Sequence, residues 1–360
     1  MKLGARAFKT GLSITLSILL AQLIYSDAGV IAGISAVPST QPSVRKSYIT
    51  MRNRMVANTI GGVLATLIVW AVGNSVIIIG FTAILLIAIL NYLHLSDVIT
   101  MSVMTLIIIM LNPSDTLFLV TAIRILETFI GVIIAFLVNT YIYPPQYGEK
   151  LYHLIDYTNS EFLVRIRSSL RKNTEFSIMS DDLKWSRTQL ARIDYFFKLL
   201  KESKLPFTRY KYDELKQLAI YRRMIYTTRA AFKVLTVMHE YENSFFNFPT
   251  EMRASIRERM EALMSGHEQI MLKFSGRVAP DQVRFFVANR SERKIILDSF
   301  FNHAQEQSNL ADFVHQKGYS GIHLMSAILE YEDELIKLNK LVTNFRNQNK
   351  KYHISQIDDF

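Results

Sequence analysis

Apolar residues fill the first 145 positions in long runs, whereas residues 146–360 carry apolar side chains at helical spacing in a charged background. Runs such as Ile77-Ile78-Ile79 and Thr105-Leu-Ile-Ile-Ile-Met-Leu111 show no alternation of polarity, so they predict helices rather than the strands of a barrel. At roughly 20 apolar residues per crossing, the pattern predicts six spans, over residues 8–25, 28–44, 54–73, 75–93, 96–112 and 116–143. The second is the weakest, because its apolar part ends at Val37 and Pro38-Ser-Thr-Gln-Pro-Ser43 interrupts a regular helix. A four-span layout remains open if that segment and one neighbour are re-entrant.

The second half predicts a helical bundle. Leu324, Ile328, Tyr331, Leu335, Leu338, Val342 and Phe345 form a heptad seam, with a shorter one at Leu183, Leu190, Ile193, Phe197 and Leu200. A third helix is expected from Tyr210 to Tyr241, with Leu218, Ile225 and Phe232 seven apart, and Pro206, Pro249 and Pro280 fall where boundaries are needed. The seams suit packing within one chain, and a homodimer through them is an alternative. The expected fold class is all-α, a polytopic membrane domain at 1–145 followed by a soluble helical domain at 146–360.

Charge sharpens the division. Residues 55–149 hold one basic residue, Arg124, and four acids, Asp97, Asp115, Glu127 and Glu149, too few to cover the surface of a soluble domain. Positive charge gathers at Lys2, Arg6 and Lys9, at Arg45, Lys46, Arg52 and Arg54, and throughout the second half. Six spans place all three groups on one side, which the positive-inside rule makes cytoplasmic. The expected location is therefore the cell membrane, multi-pass, with the N-terminus and the C-terminal domain inside. A basic start followed by Leu12 to Ile24 also resembles a signal peptide, but the further spans favour an uncleaved first helix.

Arg54-Met-Val-Ala-Asn-Thr-Ile-Gly61-Gly-Val-Leu-Ala65 is matched seventy residues later by Arg124-Ile-Leu-Glu-Thr-Phe-Ile-Gly131-Val-Ile-Ile-Ala135, with Arg, Ile, Gly and Ala at the same offsets. Three spans per copy would give an inverted repeat, as in many transporters. These segments, with Leu3-Gly-Ala-Arg-Ala-Phe-Lys-Thr-Gly-Leu12, Gln41-Pro-Ser43 and Tyr143-Pro-Pro-Gln-Tyr147, resemble the aromatic acid exporter family within a fusaric-acid-resistance-like superfamily. The resemblance is to its bacterial branch with a C-terminal helical cytoplasmic domain. It implies efflux of aromatic carboxylic acids, and plant malate and anion channels are more distant relatives.

Arg124 and Glu127 share one helix face inside the expected hydrocarbon region, where ionisable groups are expensive. Either Arg124 contacts an anionic carboxylate while Glu127 holds it or carries a proton, or the two form a self-neutralising pair. Arg54 is read as a pathway candidate or as a lipid-facing loop residue. Ser39, Thr40 and Gln41 line the pathway if the broken segment lies at membrane depth, and otherwise form a loop. Gly29, Gly33, Gly61, Gly62 and Gly131 are expected to serve helix packing. His94 and Asp97 suit a polar turn better than a proton relay.

No catalytic or metal site is expected. The chain has no cysteine, His239-Glu and His267-Glu lack the second His of a zinc helix, and no phosphate-binding loop occurs. No cofactor and no nucleic acid are therefore expected, since basic residues of the second half alternate with acids. The expected partners are membrane lipid and a small organic anion. The residues leave two readings: a secondary exporter of organic anions, or a membrane-anchored helical interaction or sensing protein.

Overall fold

The computed structural model describes residues 5–25, 29–37, 41–111, 116–142, 146–171, 176–204, 211–241, 245, 248–280, 293–294, 297–298, 318–349 and 352–354. The chain divides into two compact units, Met1–Pro145 with Glu202–Thr208, and Gln146–Lys201 with Arg209–Phe360. Among the described residues all regular structure is helical.

The first unit contains α1 (Ala5–Ile24), α2 (Val30–Ala36), α3 (Val44–Val72), α4 (Val76–Tyr92), α5 (Ile99–Leu111) and α6 (Leu117–Leu137). A 3-10 turn at Ser96–Val98 leads into α5 and a π turn at Val138–Ile142 extends α6. Three described helices are long and apolar enough to cross a bilayer, at Ala7–Ile24, Val44–Val72 and Leu117–Ile142, while α4 and α5 are shorter apolar helices. The polarity is that of a membrane protein. Ser13, Ser17, Asn58, Thr66, Ser102 and Thr128 are buried, whereas Trp70, Ile77, Phe81 and Phe118 face outward.

Two expected spans differ. The third does not begin at residue 54: α3 starts at Val44, capped by the Ser43 hydroxyl, which accepts from Lys46 N. Its 29 residues rise about 43 Å against a hydrocarbon core of about 30 Å, so a continuous helix carries Arg45 and Lys46 beyond the core. Among the described residues, the helix within the segment read as span 28–44 and ahead of α3 is the seven-residue α2, about 10 Å long, well short of a crossing.

Helix pairings set the directions. Lys9 meets Asn139, and Ala21 packs with Ile130, so α1 runs antiparallel to α6. Thr66 bonds Thr121, and a Cβ on Gly62 would touch Ile125, so α3 is antiparallel to α6 as well. Gly29 meets Glu127 and Gln41 meets Asn139, so α2 and Gln41 follow α6 in parallel.

The repeat reappears in the packing. A Cβ on Gly61 would lie 2.7 Å from Ser102 Oγ, and one on Gly131 would lie 2.2 Å from the Ala32 carbonyl. Ala32 and Ser102 are themselves seventy residues apart. The third helix of each copy thus sets its glycine against the same position of the second helix of the other copy, and the antiparallel α3 and α6 give the copies opposite directions. Gly29 and Gly33 lie against Ile18 of α1. His94 ends α4 in a left-handed turn and, with Asp97, is exposed, as a polar turn requires.

The second unit is a bundle of α7 (Tyr147–Leu170), α8 (Phe176–Lys201), α9 (Tyr212–Glu240), α10 (Thr250–Ser275) and α11 (Gly318–Gln348). All seven seam residues of α11 are buried in its core, together with Leu183 and Ile193 of α8 and Ile225 of α9. The seam therefore faces the chain's own core. Pro249 caps α10 and Pro280 follows its end, while Pro206 lies outside the described residues.

Several of the polar groups buried in this core are paired with one another. Arg259 pairs with Glu332 at 2.6 Å, both buried. His267 sits between Asn159 (Nδ2 to Nε2, 3.1 Å) and the Tyr331 hydroxyl (2.9 Å from Nδ1). Burial pushes the His267 pKa down from 6.5 to about 3, so the ring is neutral: Nε2 accepts from the amide and Nδ1–H donates to the phenol oxygen. The unfolded chain takes up this proton near pH 6.5 and the folded chain does not. The resulting stability is complete above that pH and is lost as pH falls toward 3, by up to about 1.4 kcal/mol per unit. The unfolding temperature of the detergent-solubilised chain is expected to fall with pH below 6.5, and less steeply in His267→Gln. Equal slopes in the two proteins would contradict this account.

Candidate functional site

The first unit is organised around the two ends of α2. At its start Glu127, only 2% exposed, accepts the Gly29 amide on Oε1 at 2.7 Å and Arg124 Nη1 on Oε2 at 3.2 Å. Near its end Arg54, 5% exposed, donates from Nη1 to the Ser35 carbonyl at 2.8 Å. A seven-residue helix is marginal alone. A carboxylate at its amino end and a guanidinium at its carboxyl end both oppose the helix dipole and satisfy backbone groups.

The sequence left Arg54 as a pathway residue or a lipid-facing loop residue. It is neither on a loop nor facing lipid: it is buried on α3 and holds α2. Arg124 and Glu127 do form the intrahelical pair, but Glu127 also reaches across to α2. Arg124 stays partly exposed, with 32% of its side chain accessible, and Nε and Nη2 have no protein partner among the described residues.

Depth follows from α6. Glu127 is ten residues from Leu117, about 15 Å, so α2 begins near mid-helix. The end of α1 meets the same level, since Ala21, Ile24 and Tyr25 share a cleft with Ile123, Leu126, Glu127 and Ile130. The end of α1 and the start of α2 thus stand about 9 to 15 Å along α6 from its first residue. Arg124 lies at that level.

A second polar cluster receives the chain after α2. Asn139 donates from Nδ2 to the Gln41 carbonyl (3.0 Å) and the Ser47 hydroxyl (2.9 Å), and its Oδ1 accepts from Lys9 Nζ at 3.0 Å. Lys9 is 8% exposed and heads a buried stripe of Ser13, Ser17 and Ala21 on α1. Gln41 therefore contributes its backbone, while Ser39 and Thr40 lie outside the described residues. Lys9 and Asn139 were missed by sequence reasoning. The available signal was positional: Thr121, Thr128 and Asn139 recur at steps of seven and eleven, and Lys9, Ser13 and Ser17 at steps of four, each set on one helix face.

Among the described residues no group of three or more His, Asp or Glu side chains could hold a metal ion. The arrangement suits another task. Non-helical backbone at membrane depth requires protein partners or a water-filled cavity, and broken helices flanked by charged groups are the material of transport sites.

These features define a multi-pass membrane protein of transporter architecture. Residues 1–142 match the family profile described as aromatic acid exporter family member 1. The whole chain is 31% identical over 351 residues, 98% of each protein, to UPF0421 protein YgaE of Bacillus subtilis. It is 29% identical over 152 residues to a UPF0421 protein of Bacillus cereus, covering 41% of this chain and 42% of the relative. To UPF0421 protein SH1063 of Staphylococcus haemolyticus it is 28% identical over 150 residues, 41% of this chain and 45% of the relative. The chain belongs to the aromatic acid exporter family, in the group that carries the UPF0421 name.

The close approach of α2 to α6 can be tested directly. Gly131→Ala places a methyl group against the Ala32 carbonyl backbone, whereas a Cβ on Gly80 meets nothing within 4 Å. The first substitution is expected to destabilise the detergent-solubilised chain by about 1 to 3 kcal/mol, and Gly80→Ala to leave stability unchanged or slightly raised. Thermal unfolding of both proteins distinguishes this from a loosely seated α2, for which the two would behave alike.

Proposed function

We propose that the chain exports organic anions, chiefly aromatic carboxylic acids, by secondary transport. The observation that carries this reading is the short helix α2, held near mid-depth by Glu127 and at its other end by Arg54, with the open part of the Arg124 guanidinium at the level where α1 ends and α2 begins. A guanidinium with free donors inside a low-dielectric unit attracts a carboxylate and offers it directed hydrogen bonds. Glu127 keeps that charge in place and compensates it while the site is empty.

Gln41, Lys9 and Asn139 would form the inner end of the pathway, and the proton or membrane potential would supply the driving force. In this reading both termini face the cytoplasm, lipid surrounds the first unit, and the helical bundle regulates or assembles the transporter. A homodimer is compatible with that role, joined through surfaces other than the α11 seam. No step of covalent chemistry is required, so the protein acts as a carrier and not as an enzyme.

Reconstituted into liposomes at pH 7.5, the protein is expected to move labelled 4-hydroxybenzoate under an imposed proton gradient or potential. Arg124→Ala should reduce the flux by about tenfold or more, the scale of one charged hydrogen bond. Absence of any carboxylate flux in the wild type would remove the basis for export and leave an anchored interaction module. Orientation is checked by labelling Lys150→Cys in the otherwise cysteine-free chain: a membrane-impermeant thiol reagent should reach it only from the cytoplasmic side.

A further inference from the structure

We infer that the cleft between the end of α1 and α6 is the subsite for the substrate's aromatic ring, an inference that rests on the export reading. Ile123, Leu126 and Ile130 of α6 face Ala21, Ile24 and Tyr25 across it, and Glu127 is its single charged wall. Its volume is about 150 Å³. An apolar protein cavity of about 150 Å³ accepts one benzene ring, so a single ring fits and a fused bicyclic system does not.

Position supports the assignment as well as size. Glu127 lines the cleft and also binds Arg124 Nη1 at 3.2 Å. A carboxylate attached directly to a ring in the cleft therefore lies close to the unengaged donors of Arg124. The Glu127 charge is held by Arg124 and the Gly29 amide, which limits its repulsion of the incoming anion. The Tyr25 phenol, half-exposed at the rim, can hydrogen-bond a ring hydroxyl. Burial of the ring then separates aromatic acids from small aliphatic acids that share only the carboxylate contact.

The test compares 4-hydroxybenzoate, glycolate and 2-naphthoate in proteoliposomes containing the full chain. Ile123→Trp narrows the cleft from its rim and is expected to lower 4-hydroxybenzoate flux by about tenfold or more while glycolate flux persists, which also shows that the variant is folded. Ile130→Ala widens the cleft and should raise naphthoate flux relative to 4-hydroxybenzoate. Unchanged 4-hydroxybenzoate flux in Ile123→Trp, or an equal fall for both small acids, overturns the subsite, the first outcome pointing to an acyl chain as the occupant of the cleft. A wild type that moves glycolate but not 4-hydroxybenzoate overturns the subsite and leaves anion export standing. A wild type that moves neither overturns both.

Discussion

The first unit depends on a carboxylate placed where a helix has been cut short. In a bilayer, backbone groups released by a helix break find no water, so a seven-residue helix in the middle of the unit survives only with protein partners. Glu127 receives the Gly29 amide, Arg54 supplies a donor to the Ser35 carbonyl, and Asn139 supplies one to the Gln41 carbonyl. The charges on α3 and α6 are thereby explained together with the break they support. Their position inside the membrane is costly for each residue alone, and the interrupted segment is what offsets that cost.

A repeated helix contact gives this arrangement its scaffold. Gly61 against Ser102 and Gly131 against Ala32 are the same close approach made in both directions between the two halves. The halves differ in the polar groups beside it. Position 102 is a serine whose hydroxyl donates to the Ala57 carbonyl, while its counterpart is Ala32, in a helix reduced to seven residues. Ala57 itself corresponds to Glu127. The α3–α5 contact is therefore closed by a neutral hydroxyl and the α2–α6 contact by a carboxylate, so near-symmetric packing yields an asymmetric interior.

Much of this was legible in the sequence. Charge depletion located the membrane half, the heptad seam of α11 located the bundle core, and the spacing of Arg124 and Glu127 foretold their pairing. Gly61 and Gly131 were recognisable as packing positions. The start of α3 was not, because a basic cluster beside an apolar run reads equally as a loop or as a helix extending past the hydrocarbon. The interruption after Val37 was legible in Pro38 to Ser43, but not the depth at which α2 begins, which the apolar stretch 28–37 does not reveal. Lys9 and Asn139 are 130 residues apart, and nothing local to either one indicates the other.

The Gly29 to Glu127 contact has a consequence for how the protein is made. The two residues are separated by 98 positions, so α2 leaves the ribosome long before the carboxylate that holds its first amide. Too short to insert as a spanning helix, α2 cannot reach its final seat until α6 has entered the membrane. Assembly of the unit therefore waits on its last helix: a segment made early is seated only after α6 is in place.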